Sequence, residues 1–366
     1  MVHLVTRRQA IVTAAGLTAL ATTPPTDAGT QTKAVTRIAF GSCAHQDKEQ
    51  PVWDTILATK PDLFIFLGDN IYGDTRDIED LRAKYAKLAQ IPGFKRLRET
   101  VPVLAAWDDH DFGENDAGAD YPLKDQSKQA FLEFWNEPPN SARWKQDGIY
   151  DAYVFGPAGQ RVQIILPDLR TNRTAIRKRD LGGKDFETWA TERLSANQAA
   201  PGPYERNSHP SATMLGASQW HWLEQQMRVP AEVRLFGSSL QVLADFPGWE
   251  AWINYAHDHQ RLFDLIRRTR CSGMVFLSGD THYAELSRLN LNTPYPLWDL
   301  TSSGITEVWP VLPPNDNRVG RAYRGVNFGV IDIQWAPSPI LTLQVRDIEG
   351  TVRVTQDVNI AELAVA

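Results

Sequence analysis

Cysteine is scarce: the 366-residue chain holds two, Cys43 and Cys271. That excludes a small scaffold stapled by disulfides. Long apolar runs are also missing. The weakly apolar stretch from Ile11 to Ala21 is too short to span a membrane, and nothing after it reads as a span. Nor is there an excess of positive charge, since 44 acidic residues face 38 basic ones, for a formal net charge of −6. Such a chain is not a general binder of nucleic acid or anionic membranes, and no nucleic-acid-binding module is expected. Any anion it handles must be attracted locally. No internal repeat or long low-complexity segment is present, which excludes solenoids and arrays.

Aromatic residues, by contrast, are plentiful. Twelve tryptophans suit a wide, aromatic-lined cleft or a large core equally. The length allows one large domain or two modest ones. Near the start, Thr6-Arg7-Arg8-Gln9-Ala10 is a twin-arginine pattern, and Ala19-Leu20-Ala21 is a small-residue cleavage site. Residues 1–34 therefore read as a signal peptide and polar leader, and residues 35–366 as a single domain. Loss of residues 1–21 removes Arg7 and Arg8 and no acid, so the formal charge moves to −8. The expected route is the twin-arginine export machinery, and the expected location is periplasmic or secreted.

From residue 35 the chain alternates strand-like and helical runs. The strand-like runs are "VTRIAF", "LFIFLG", "VPVLAAW", "VQIIL", "VRLFG" and "MVFLSG". Between them, "DIEDLRAKYAKLAQ" puts Leu81, Tyr85 and Leu88 on one helical face, and "SQWHWLEQQM" and "DHQRLFDLIRRTR" also read as helices. After His282, "AELSRLNL", "NFGVIDIQW", "ILTLQVRD" and "TVRVTQDV" alternate, as antiparallel strands completing a second sheet would. Residues 171–216 are polar and charged, an excursion over the mouth of a site.

Each buried run ends on polar chemistry: Cys43, Asp69, Asp108-Asp109-His110, Asp168-Leu169-Arg170, Ser238-Ser239 and Asp280-Thr281-His282. Strands of an α/β sheet present ligands at their carboxyl ends. Asp69, Asp109 and Asp280 come from three strand ends, and carboxylates so gathered repel unless cations sit between them. Two such cations can hold both oxygens of an in-line displacement at phosphorus. Metal-assisted hydrolysis follows from the residue types. Two other features carry no site. His257-Asp258-His259 has metal-like spacing, but residues two apart on a helix do not share a face, so it reads as solvated surface. Ser238-Ser239 lacks the Gly-x-Ser-x-Gly turn of a serine hydrolase.

The segments "GSCAHQ", "FLGDNIYGD", "WDDHDFGEND" and "SGDTH" together resemble the motif set of the PhoD-like alkaline phosphatases, a branch of the calcineurin-like metallophosphoesterases. The resemblance covers roughly residues 35–335. It implies an α/β fold, the four-layer αββα sandwich of calcineurin-like metallophosphoesterases. It also implies hydrolysis of phosphate mono- or diesters by a metal-bound hydroxide, with a small-molecule ester as substrate. Departures from the wider superfamily are informative. Its usual Asp and His of the first motif are replaced by Ser42-Cys43-Ala44, and Gly-Asn-His-Glu by Asp108-Asp109-His110-Asp111. Gly-His-x-His becomes Gly279-Asp280-Thr281-His282, and "VRLFGSSLQVL" offers no His. The PhoD-like branch shares these changes. Many members carry a β-sandwich domain before the catalytic one. Here "TRIAF" follows the leader almost directly, so a compact version is expected.

Ligand chemistry divides the implied metals. Cys43, Tyr72, Asp69 and His282 form an anionic site suited to Fe3+. Asp69, Asp109, Asp280 and the side-chain oxygen of Asn115 form a hard oxygen site suited to Ca2+. Zn2+ or Mn2+ stays open for both. His110 would assist the leaving oxygen, and Arg170 and Asn115 would contact the anionic substrate. The motifs do not separate phosphate from sulfate esters, so a sulfatase on the same metals is one alternative. A non-catalytic binding protein on the retained fold is another.

Overall fold

The computed structural model describes residues 33–245 and 248–365. The twin-arginine pattern lies outside the described residues. Among them, no helix is long and apolar enough to cross a membrane.

The first apolar runs form strands β1 (Arg37–Gly41), β2 (Leu63–Leu67) and β3 (Val103–Ala106), which pair in parallel. Then come β4 (Asp151–Phe155) and β5 (Val162–Leu166). A two-stranded ribbon follows, β6 (Arg177–Lys178) with β7 (Tyr204–Glu205). The later strands are β8 (Val233–Ser238), β9 (Met274–Ser278), β10 (Ala284–Leu289), β11 (Leu297–Ser302) and β12 (Arg318–Tyr323). The last are β13 (Asn327–Gln334), β14 (Ile340–Asp347) and β15 (Val352–Asn359).

They assemble into a six-stranded sheet, β15-β14-β13-β1-β2-β3, and a seven-stranded sheet, β12-β10-β11-β9-β8-β5-β4. The two sheets pack face to face, with helices on both outer faces, giving the expected four layers. Strand β2 shows why. Its even-numbered Phe64 and Phe66 pack with Trp53, Leu81, Phe94 and Phe131 of the helices outside. Its odd-numbered Leu63, Ile65 and Leu67 join the core formed with Leu235 and Leu277 of the second sheet. All five are buried, which is why the run reads as continuous rather than alternating. Each such side chain contributes roughly 1.5–3 kcal/mol by leaving water.

The helix Ile78–Gln90 buries the expected Leu81, Tyr85 and Leu88. Asp77 caps it by accepting from the Glu79 N–H at 3.0 Å. It stops at Ile91, which precedes Pro92 and adopts an extended backbone. Outside the second sheet, the helices Gly216–Met227 and Ala256–Thr269 bury Trp220, Leu223, Leu262 and Ile266 into the same core.

One expectation needs correcting. The late alternating strands do not all complete the second sheet. Only β10 does so; β13, β14 and β15 extend the first sheet, β13 lying antiparallel to β1. Alternation specifies a half-buried strand but carries no information on its partner.

Candidate metal centre

The carboxyl ends of β1, β2 and β3 in one sheet and of β8 and β9 in the other converge on one edge of the sandwich. Each strand leads into a turn that aims a polar side chain at a common point. Cys43, Asp69, Asp280 and His282 all adopt left-handed backbone, with φ of 64°, 46°, 69° and 60°. For residues other than glycine that conformation costs on the order of 1–3 kcal/mol each, and it concentrates at functional sites. The turns also approach closely. A Cβ at Gly68 (φ 98°) would stand 2.5 Å from the Asp108 Cβ, so only glycine lets these two loops touch.

Ligand atoms of Cys43, Asp69 and His282 lie within 4.8 Å of one another, as do those of Asp69, Asp108, Asp109 and Asp280. Asp69 belongs to both groups, the position a bridging ligand needs. The Cys43 thiol donates to Asp69 Oδ2 at 3.3 Å and lies 3.1 Å from Ser303 Oγ. Tyr72 Oη lies 3.0 Å from His282 Nε2. Tyr72 thus reaches back over the turn that follows Asp69.

The electrostatics are those of a cluster built around positive charge. Asp69 Oδ1, Asp108 Oδ2 and Asp109 Oδ1 are buried without a hydrogen-bond donor. Burial first, and neighbouring carboxylates after it, push Asp69 and Asp280 well above the usual carboxylate range. Asp109 moves the other way despite its burial, held low by Arg170 and His110. Burial likewise raises the Cys43 thiol and the Tyr72 phenol, and lowers His282 to about 4. Undonated buried oxygens next to one another are costly unless a cation occupies the space between them. The donor set fits metals on this ground alone.

Around the cluster, Asp111 caps the turn, accepting from the Asp108 N–H at 2.6 Å and the Asn70 N–H at 3.2 Å. Asn70 donates to the Ala106 carbonyl at 2.8 Å, so it shapes the turn, as its position after Asp69 implies. His110 Nδ1 lies 2.8 Å from Asp74, and its ring packs 4.2 Å from that of Tyr72. Burial opposes charge on His110, but Asp69, Asp109 and Asp74 outweigh it and push the imidazolium up to about 11.

Two expected substrate contacts fare differently. Arg170 does not reach the cleft. It is fully buried, with Nε 2.6 Å from Asp108 and its terminal nitrogens 3.2 and 3.0 Å from Glu250. Asn115 does line the cleft, where its amide donates to Asp116 at 2.8 Å.

Sequence reasoning missed Asp116, Glu250 and Ser303, and it gave Asp74, after Asp69 in the same turn, a shaping or supporting role without naming His110 as its partner. Asp116, whose N–H donates to Asp109 at 2.7 Å, forms a further acidic group with Asp109 and Glu250. Both cysteines are free and buried. The His257-Asp258-His259 triplet is not a metal site, but only His257 is surface. Asp258 is buried, accepting from the Thr213 hydroxyl at 2.7 Å and the Met214 N–H at 2.6 Å. His259, also buried, bonds the Val242 carbonyl at 2.7 Å. Of residues 171–216, expected to lie over the mouth, Tyr204 lines the cleft.

Comparison with known proteins gives a consistent result. A sequence profile described as PhoD-like phosphatase matches residues 38–328. Alkaline phosphatase D of Bacillus subtilis (strain 168) is 22% identical over 290 residues, covering 69% of this chain and 47% of that protein. The chain thus spans about half the length of that relative. The solved structure of PhoD superposes with a TM-score of 0.62 at 17% identity, over 92% of this chain and 73% of the other. A dimetal phosphatase from Danio rerio gives 0.54 at 15% identity, over 91% of this chain and 100% of its own.

Proposed function

The chain belongs to the PhoD-like phosphatase family, and on that premise we propose that it is an exported, metal-dependent hydrolase of phosphate mono- or diesters. The observation that carries this reading is the group of undonated buried oxygens of Asp69, Asp108 and Asp109, gathered from two strand ends beside Asp280 from a third. Export rests on the Arg7-Arg8 pair, and replacing both with Lys should leave the precursor in the cytoplasm.

In this reading Cys43, Asp69, Tyr72 and His282 would hold one cation. Their thiolate and phenolate character favours Fe3+. Asp69, Asp109 and Asp280 would hold the second through oxygen, with Asn115 and Asp116 beside them, which favours Ca2+; Zn2+ or Mn2+ would suit the same donor types. When bound, such a pair neutralises charge at a phosphoryl group and activates water.

The protein's own residues do the rest. Ser303 steadies the Cys43 thiol, and its oxygen accepts from the His282 N–H at 3.0 Å. Arg170 and Ser239, each 2.6 Å from Asp108 Oδ1, fix the loop that carries Asp109. His110 lines the cleft with Asp74 on its Nδ1, so its Nε2 is the atom available to protonate a leaving oxygen.

The test is a panel of phosphate mono-, di- and sulfate esters on purified protein, with elemental analysis of its metals. Phosphate-ester turnover is expected, and Asp109→Ala should lower it by on the order of 100-fold or more while the fold persists. Turnover confined to sulfate esters would make the protein a sulfatase. Full activity in Asp109→Ala would remove Asp109 from the centre.

A further inference from the structure

The cleft beside the carboxylate cluster has two unlike halves. One is acidic: Asp109, Asp116, Glu250 and Asp280. The other is apolar and aromatic, built from Trp249, Trp309, Tyr283, Val311 and Pro313. Among the described residues that line the cleft, none is Lys or Arg. The space open to the centres of water molecules is about 210 Å³. At roughly 10–15 Å³ for each water, that is far more than a phosphate group fills.

The apolar half is fixed to the proposed centre rather than merely near it. The Trp309 N–H donates to the His282 carbonyl at 2.9 Å, and the two rings lie 6.1 Å apart. Trp309 meets Trp249 edge to face at 4.9 Å, and Trp249 meets Phe186 at 5.1 Å. Trp249 is held from behind, because Tyr204 N–H donates to the Gly248 carbonyl at 3.0 Å. An aromatic wall therefore runs from a proposed metal ligand towards the helix Phe186–Ser195. Trp309 keeps 36% of its surface exposed, and Val311 keeps 63%. Apolar surface left open in a cleft next to a reactive centre is surface a substrate can cover.

We propose that this wall selects the alcohol portion of the substrate, and that the preferred substrates are phosphate esters of an aromatic alcohol carrying no second anionic group. The proposal rests on the phosphoesterase reading above. The phosphoryl group would go to the carboxylate half, where cations held by Asp69, Asp109 and Asp280 would attract it. The ester oxygen then points the alcohol along Trp309 and Trp249. A second anion there would meet acids and indoles and no Lys or Arg, because the His110 imidazole lies beside Asp69 and Asp109 at the phosphoryl end.

Intrinsic reactivity must be kept apart from recognition, so the test compares esters whose leaving alcohols match. The substrates are 3-phenylpropyl phosphate, propyl phosphate and 3-(4-carboxyphenyl)propyl phosphate, with the purified metal-loaded protein. The phenyl ester should exceed the propyl ester in kcat/KM by about tenfold or more, and the added carboxylate should remove most of that gain. Trp309→Ala and Trp249→Ala should each bring the phenylpropyl-to-propyl ratio to within about threefold, whereas Trp309→Phe should keep most of it. Calorimetry with 3-phenylpropylphosphonate and propylphosphonate should show the same order in binding. A ratio near one in the unaltered protein, or a ratio that survives both alanine variants, overturns the proposal while leaving the phosphoesterase reading intact. No turnover of any phosphate ester overturns both.

Discussion

Tyr72 and His282, 210 residues apart in the chain, meet with Tyr72 Oη 3.0 Å from His282 Nε2. One follows a strand of the first sheet and the other a strand of the second, so this contact ties the two sheets at the centre. Burial first, with Cys43 and Asp69 after it, raises the Tyr72 phenol, and burial lowers His282. Without a cation both groups are neutral and share a hydrogen bond. In the proposed centre they would be adjacent ligands.

That pairing makes Tyr72→Phe a clean probe. The Tyr72 ring packs against His45, at 4.9 Å, and His110, at 4.2 Å. Phenylalanine keeps both contacts and loses only the oxygen. Stability should fall by about 0.5–1.5 kcal/mol, the ordinary net worth of one hydrogen bond. Iron content and visible absorption should fall far more. An unchanged spectrum in an iron-containing variant would make Tyr72 a wall residue.

Arg170 gives a prediction opposite to the one its motif position invites. A substrate clamp would affect KM and leave stability alone. A fully buried guanidinium between Asp108 and Glu250 should do the reverse. Arg170→Ala leaves the buried Asp108 without a cationic partner and Glu250 with Arg173 alone, and breaking such a buried pair typically costs about 3–5 kcal/mol. Denaturant unfolding measures it. A loss under about 1 kcal/mol with a large rise in KM would restore the clamp.

The strand ends were legible because parallel buried strands are unbroken apolar runs, and a polar residue closing one stands out. The same logic hid β11. Its sequence, Leu-Trp-Asp-Leu-Thr-Ser, carries Asp299, whose carboxylate accepts from the Val242 and Leu243 N–H groups at 2.8 and 2.9 Å. Those partners lie in another part of the chain, so the run looks too polar to be a core strand, and Ser303 beyond it was overlooked. Glu250 was invisible for a related reason: nothing local marks it, and only tertiary packing brings it to Arg170 and Arg173. His259 was readable. It shares a helical face with Leu262, Phe263 and Ile266, and all four are buried.

His259 sets a pH dependence of its own. Burial lowers its pKa from 6.5 to about 4 in the folded protein. Between those values the unfolded chain binds the proton and the folded one does not, so stability falls as pH drops. The contribution is complete above pH 6.5 and lost as pH falls towards 4. At roughly 1.36 kcal/mol per pKa unit it is worth up to about 3 kcal/mol. His259→Gln retains a donor for the Val242 carbonyl and cannot titrate. Its stability should decline less than that of the unaltered protein between pH 6.5 and 4, by urea unfolding at each pH. Parallel curves would show that His259 does not titrate differently on folding.

The sharpest test of His110 is chemical. If its Nε2 gives a proton to the leaving oxygen, its worth depends on how badly that oxygen needs one. An alkoxide leaves poorly unprotonated, whereas a nitrophenolate leaves well. His110→Ala should therefore lower kcat on alkyl phosphates by on the order of 100-fold to 10,000-fold, and on 4-nitrophenyl phosphate by much less. Asp74 contacts the ring on the other side, at 2.8 Å from Nδ1. It holds the imidazole in place and keeps Nδ1 protonated. Asp74→Asn preserves the shape of that contact without its charge, so it should reproduce the same leaving-group trend in weaker form. Plotting log kcat against leaving-alcohol pKa for the three proteins decides the matter. A steeper slope in both variants assigns the proton to His110 and its orientation to Asp74. Equal slopes with a uniform drop in rate would mean that His110 stabilises charge on the phosphoryl oxygens and transfers no proton.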